Sequence, residues 1–301
     1  MSTSVVTTVD RELWGHRLAH LLGASVTSVG ALLAHGTVAR FETGASLASE
    51  GSPIARLHWV LDGGVEMMRH GRAFARASAG DAVGAIVAWS GDARGLSATC
   101  TVTTHTLAFD ANRVSTWIGG RSPLLEAALR AVSREAVALR RGLGPDAGFV
   151  SRSIVEQPFD PSSAVARMLL VRAATGGLMN TRIEAVADLA SIASFVEISS
   201  GAVLWREGET PSDWALMIAS GEIAGTARTP AQSFLHRCTE AVGVLDALSG
   251  APRWYTATVT RAVRALRFER EDLLSIIADH PELQIDLIRR MSASALAIWD
   301  R

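Results

Sequence analysis

The sequence contains two cysteines, and its acidic and basic side chains cancel to a net charge of −1. Cys100 and Cys238 form no CxxC and no Cys/His ligand spacing. That excludes a disulfide framework and a zinc module, and it fits two reduced, buried thiols. The charge balance supplies no electrostatic reason to expect nucleic acid or an anionic membrane surface as partner. No apolar run reaches the length of a membrane span. The N-terminal MSTSVVTTVDREL lacks both the basic start and the apolar stretch of a signal peptide. A Walker loop, a Gly-x-Ser-x-Gly elbow, a His-Glu-x-x-His pair and a dinucleotide fingerprint are all missing. His16 and His20 stand four apart with no identifiable third ligand, so they read as ordinary boundary histidines rather than a metal half-site. The expectation is a soluble, cytoplasmic protein that is not an enzyme and needs no cofactor.

What the sequence does contain is a long internal repeat. Gly44-Ala-Ser-Leu-Ala-Ser-Glu50-Gly51 returns as Gly201-Ala-Val-Leu-Trp-Arg-Glu207-Gly208. Read on without a gap, Gly64 falls on Gly221, at the same offset of 157 residues. The offset becomes 159 where Gly84 matches Gly243, Arg94 matches Arg253 and Phe109 matches Phe268. A period this long means two copies of one domain rather than a solenoid. Each copy, at roughly 130 residues, is long enough to bury its own core.

Hydrophobic periodicity predicts the elements. Copy one opens with helical spacing over Arg11–Leu22 and Val26–Leu33. Short alternating runs follow at Thr37–Phe41, Leu57–Leu61, Val65–Arg69, Ala85–Trp89 and Ser97–Leu107, broken by Gly, Asp and Ser clusters. Such spacing predicts antiparallel strands of a barrel or sandwich. Helical period returns at Arg113–Ile118 and Ser122–Arg140. Gly142–Pro161 carries loop chemistry, and Ser162–Ala174 is a short helix. Copy two repeats the order: helix over Arg182–Ile192, strands from Phe195 to about Phe268, then helices Glu271–Ala278 and Pro281–Trp299. The predicted fold is mainly β with flanking helices: two tandem double-stranded β-helix (jelly-roll) domains at 10–141 and 176–301, joined by a linker with a short helix at 142–175.

Copy two resembles the cyclic nucleotide-binding domain of bacterial cyclic-AMP receptor proteins and of the regulatory subunit of the cyclic-AMP-dependent kinase. The residues that carry the resemblance are Gly201-x-Val-Leu-x-x-Glu207-Gly208, Ile218-x-x-Gly221-Glu222, Gly243 followed by Ala251-Pro252-Arg253, Ala257-Thr258-Val259, and Asp279-His-Pro281-Glu-Leu283. It covers most of 176–301. Copy one follows through its alignment to copy two, over about 12–140.

The resemblance implies a phosphate-binding cassette, a short helix after a Gly and then a loop bearing Arg. It spans Gly243–Thr258, with its counterpart at Gly84–Thr99. The guanidinium would make charge-assisted bonds to a cyclic phosphate. The implied ligand residues are Gly243, Val244, Leu245, Pro252, Arg253 and Thr258 in copy two, and Gly84, Arg94 and Thr99 in copy one. Gly to Arg is ten residues in both. Two departures stand out. The family's ribose-binding Glu after the Gly is Val244 in one copy and Ala85 in the other, and two extra residues separate the Arg from the Ala-Thr pair. Losing a charged hydrogen bond of about 1.5–3 kcal/mol weakens binding roughly tenfold to a hundredfold. Asp246 inside the cassette helix would repel a phosphate. Arg94 beside Asp92 reads as an ion pair, Trp254-Tyr255 as packing rather than a purine platform, and the Glu-Gly steps as turns.

Two function classes stay open. One is a regulatory sensor that binds cyclic AMP or cyclic GMP weakly through copy two and signals to a protein partner. The other is a scaffold or assembly subunit whose pockets no longer bind nucleotide. The chain ends after the last helix of copy two, where bacterial relatives carry a helix-turn-helix, so DNA binding is not expected. The apolar side of that last helix suggests a homodimer seam as a second use beyond core packing.

Overall fold

Alternation of apolar and polar residues puts one face of a strand inside, as it does over Gly64–Arg69, whereas Leu57–Leu61 is buried on both faces. The computed structural model describes residues 14–17, 19–20, 25–111, 122–142, 158–175, 181–228 and 231–300. The expected helical run Arg113–Ile118 and most of the Gly142–Pro161 loop lie outside them. Contacts divide the chain into two compact units, Met1–Glu135 with Met291–Leu296, and Ala136–Arg290 with Ala297–Arg301.

The first unit holds α1 (Val26–His35), β1 (Thr37–Phe41), β2 (Ser46–Ala48), β3 (Arg56–Asp62), β4 (Gly64–Arg69), β5 (Arg72–Ser78), β6 (Ala82–Val83), α2 (Ala85–Ser90), β7 (Ser97–Cys100) and β8 (Thr104–Asp110). Helix α3 (Ser122–Gly142) straddles the division. The strands form two four-stranded antiparallel sheets, ordered β1-β8-β3-β6 and β2-β7-β4-β5. The second unit holds α4 (Ala164–Ala174), α5 (Ile183–Ile192), β9 (Ser194–Ile198), β10 (Val203–Trp205), β11 (Trp214–Arg228), β12 (Ala231–His236), β13 (Ala241–Val242), α6 (Val244–Ser249), β14 (Thr256–Glu269), α7 (Arg270–Asp279) and α8 (Pro281–Trp299). Here β11 and β14 run unbroken through both layers, giving one bent antiparallel sheet of six strands. The first half of β11 is buried on both faces, with α4 and α6 packed on it, and its second half alternates. The architecture is mainly antiparallel β with flanking helices.

Backbone bonds recur at matching positions in the two units. Gly44 N–H donates to the Cys100 carbonyl and Gly201 N–H to that of Val259, both at 2.7 Å. Ser46 pairs with Thr99 and Val203 with Thr258, each followed by the same register shift. One detail corrects the ungapped repeat. Gly221 has φ 99°, and a Cβ there would lie 2.2 Å from the Ala262 carbonyl oxygen. The residue with that conformation in the first unit is Gly63, at φ 102°, where a Cβ would lie 2.7 Å from the Thr103 carbonyl oxygen. The offset there is therefore 158, not 157. A glycine is required where the strand bends onto its return partner, because only a residue without Cβ takes this φ against a carbonyl.

Three sequence expectations change. Ala85–Trp89 is not a strand but the helix α2, which starts at the left-handed Gly84. Ala85, Ile86, Val87 and Trp89 are all buried, so no polar face marks its period. Ser97–Leu107 is two strands, β7 and β8, parted where Thr101 N–H and the Thr104 hydroxyl both donate to the Gly64 carbonyl. Strands β2, β5 and β6 are short or Ala/Arg-rich and show no clean alternation.

Glu135 on α3 belongs to the first unit, where its Oε2 accepts from Ile86 N–H at 3.4 Å. Burial pushes its carboxyl up to about 8, against the pull of that N–H and with the aid of nearby Asp81. The folded state therefore holds a proton that the unfolded chain releases near 4.5, and this stability is lost as pH rises from 4.5 to 8. Relative to wild type, Glu135→Gln should gain on the order of 2–4 kcal/mol at pH 9 and little at pH 4. Urea titrations at the two pH values check this, and an equal effect at both contradicts it. Gly221→Ala should cost more than about 3 kcal/mol, against about 1 kcal/mol for Gly250→Ala, where a Cβ meets nothing within 4 Å. Comparable denaturation midpoints for the two variants would contradict the bend assignment.

Candidate functional site

The cassette begins in both units with a left-handed glycine, Gly84 (φ 71°) and Gly243 (φ 82°), followed by a six-residue helix, α2 or α6. Ser90 and Ser249 close these helices alike: each hydroxyl donates three residues back and accepts a backbone N–H two residues on. The loop that follows is pinned to the Glu-Gly turn. Gly51 N–H donates to the Arg94 carbonyl at 2.7 Å, and Gly208 N–H to the Arg253 carbonyl at 2.8 Å. Glu50 N–H donates to the Ser97 hydroxyl at 3.2 Å, and Glu207 N–H to the Thr256 hydroxyl at 3.0 Å. The carboxylates of Glu50 and Glu207 accept from the backbone N–H of His70 and Arg228. Both Glu-Gly steps are thus turns that hold the arginine loop.

The side chains then part company. Arg253 is 1% exposed. Its guanidinium donates to Asp246 Oδ2 at 3.1 Å, to the Ser212 hydroxyl at 3.0 Å, and more weakly to the Gly243 and Ser212 carbonyls at 3.4 Å. It lies 4.0 Å over the Trp205 ring. Asp246 is 2% exposed. Burial raises its carboxyl above the ordinary range, while Arg253 and then Arg140 pull it back. Far from repelling its surroundings, Asp246 is the counter-charge of the cassette arginine. Trp254 and Tyr255 are each 3% exposed. Trp254 stacks on Phe234 at 5.3 Å and Tyr255 meets Trp205, Phe234 and Trp254 edge-on. Burial, aided by Asp246, holds the Tyr255 hydroxyl well above its ordinary value, so it stays protonated. These rings are core, with no open face for a purine.

In the first unit Arg94 points outward and clamps Asp92, with Nε at 3.1 Å and its terminal nitrogen at 2.6 Å. The buried guanidinium is instead Arg69, at the end of β4. It donates to Asp92 Oδ2 at 2.8 Å and to the Gly95 carbonyl. Arg94 above all, and then Arg69, hold the Asp92 carboxyl far below the usual carboxylate range.

Of the residues singled out by sequence, the structure joins Gly243 to Arg253. Val244 and Leu245 are half-buried on α6, Pro252 is exposed, and Thr258 sits on β14 between Val203 and Ala224. Gly84 is buried against Ile54, whereas Arg94 and Thr99 are exposed. Sequence reading missed Arg69, Ser212 and Trp205. The signal for Arg69 was present: Val65, Met67 and Arg69 share the inward phase of β4. His16 and His20 are exposed, and no group of three His, Cys, Asp or Glu residues able to hold a metal occurs among the described residues. No helix among them is long and apolar enough to cross a membrane.

Residues 195–280 match the family Cyclic nucleotide-binding domain. No curated protein matches the chain. Among solved structures, the regulatory domain of Toxoplasma gondii PKA with cAMP is similar at 13% identity, covering 92% of this chain and 95% of that one, with a TM-score of 0.35. A cyclic nucleotide-binding domain from Methylobacillus flagellatus KT is similar at 20% identity over 44% of this chain and 83% of that one, with a TM-score of 0.38. The N-terminal domain of a transcriptional regulator from Streptomyces coelicolor A3(2) is similar at 22% identity over 44% and 95%, with a TM-score of 0.37.

Removing one partner of a buried pair strands the other. Arg253→Ala should therefore cost about 3–5 kcal/mol, and Arg94→Ala, at the surface, less than about 1 kcal/mol. Urea denaturation of both variants checks this, and equal losses would contradict the assignment of Arg253 to the core.

Proposed function

We propose that this chain is a non-enzymatic regulatory or assembly protein with two domains of cyclic-nucleotide-binding type, at 10–141 and 176–301, in which the protein's own side chains stand in for nucleotide. It acts on a protein partner. The observation that carries this reading is the Arg253 guanidinium, shut from water and already engaged by Asp246 and Ser212. The residues do not fit a cyclic nucleotide as they stand. Val244 and Ala85 offer no acceptor for a ribose hydroxyl, Arg94 is tied to Asp92, and aromatic rings fill the second barrel. A phosphate reaching Arg253 must first part a buried ion pair, at a cost of about 3–5 kcal/mol. That weakens binding roughly a hundredfold to several thousandfold and takes a micromolar site to between about 0.1 mM and several mM.

One observation favours the sensor reading: Gly243 and Arg253 do meet, as a phosphate cassette requires, with the guanidinium 3.4 Å from the Gly243 carbonyl. Calorimetric titration of cyclic AMP and cyclic GMP into the wild-type chain separates the two. The expected outcome is no saturable heat up to about 0.1 mM nucleotide. Saturable micromolar binding that Arg253→Ala abolishes would replace the closed-cassette reading with the sensor.

A further inference from the structure

The two units close their cassettes with the same chemistry but different residues. In the second, the loop supplies the arginine, Arg253, and α6 supplies the carboxylate, Asp246. In the first, strand β4 supplies the arginine, Arg69, and the loop supplies the carboxylate, Asp92. At the matching positions neither pair exists: Val87 stands where Asp246 would be, Ala251 where Asp92 would be, and Ala227 where Arg69 would be. Neither pair is thus a copy of the other. What recurs is a buried guanidinium met by an internal carboxylate beneath the arginine loop.

We infer that Asp246 is a built-in oxyanion ligand of Arg253, and that removing its charge opens this site to a free oxyanion of the phosphate class. The inference rests on the closed-cassette reading above and says what closes it. Three observations support it. The Asp246 carboxylate and the Ser212 hydroxyl already hold both terminal nitrogens of Arg253, which is the binding a phosphate would otherwise receive. The guanidinium Nε is buried with no acceptor among the described residues, so the site has a donor left over that a carboxylate at this position does not use. The Trp205 ring beneath the guanidinium holds it in place without neutralising it.

The test uses the full chain as wild type, Asp246→Ala, Asp246→Asn and the double variant Asp246→Ala/Arg253→Met. Inorganic phosphate and, separately, cyclic AMP are added at constant ionic strength, and the thermal midpoint is followed. Asp246→Ala should melt below wild type. Phosphate should raise its midpoint saturably, by roughly 5–10 °C at a hundred times the dissociation constant, and leave wild type and the double variant unmoved. If the alanine variant does not fold, Asp246→Asn, which keeps the side-chain volume, carries the same expectation. A midpoint that phosphate shifts equally in all variants, or in none, overturns the inference while leaving the closed cassette intact. A wild type that responds as strongly as Asp246→Ala overturns the blocking role of Asp246. A response to cyclic AMP but not to phosphate assigns the site to the nucleoside rather than to the oxyanion and overturns the inference as well.

Discussion

A guanidinium taken out of water must be met by a carboxylate or it will not stay buried. Desolvating an ion costs several kcal/mol, and only a well-placed partner with further hydrogen bonds offsets that. In both units the arginine loop sits on such a pair, and much else follows from it. Asp246 anchors α6 to the loop through Arg253. Gly243 stays free of Cβ because one there would lie 3.2 Å from both the guanidinium and the Trp205 ring. The aromatic residues of the second barrel then close around the stacked arginine. Arg253 and Asp246 thus balance each other's charge inside the second unit.

The strands place this pair by a second constraint. Gly63 and Gly221 sit where a strand turns against its return partner, each in a conformation closed to a residue with Cβ. In the first unit the chain breaks into separate strands at that bend, and in the second it continues through it. The bend brings the Glu-Gly turn to the arginine loop in both cases, with the same backbone bonds. The loop backbone is thus alike in the two units while its arginine side chains take opposite courses.

Much of the fold was legible because periodicity is a direct imprint of burial. Thr37–Phe41 and Pro281–Trp299 match the predicted bounds end to end, since one face of each meets the core and the other meets water. Ala85–Trp89 failed for the converse reason. A short helix buried on every side has no polar face, and its apolar run reads equally well as a strand. The candidate site was legible in outline only. Spacing from Gly to Arg located the loops, and the Glu-Gly steps were recognisable as turns. Whether Arg253 or Arg94 faces inward was not encoded in spacing, because both stand ten residues after their glycine.

The sequence alone determined the mainly β architecture and the ten-residue Gly-to-Arg spacing of the two loops, since these depend on local pattern and on residues close along the chain. Tertiary structure alone decided the electrostatics of the site. Arg253 meets Ser212 across 41 positions, and Arg69 meets Asp92 across 23. Such pairs form only once strands distant in sequence are stacked and water is excluded. In that low-dielectric interior Asp246 becomes the counter-charge of the buried Arg253.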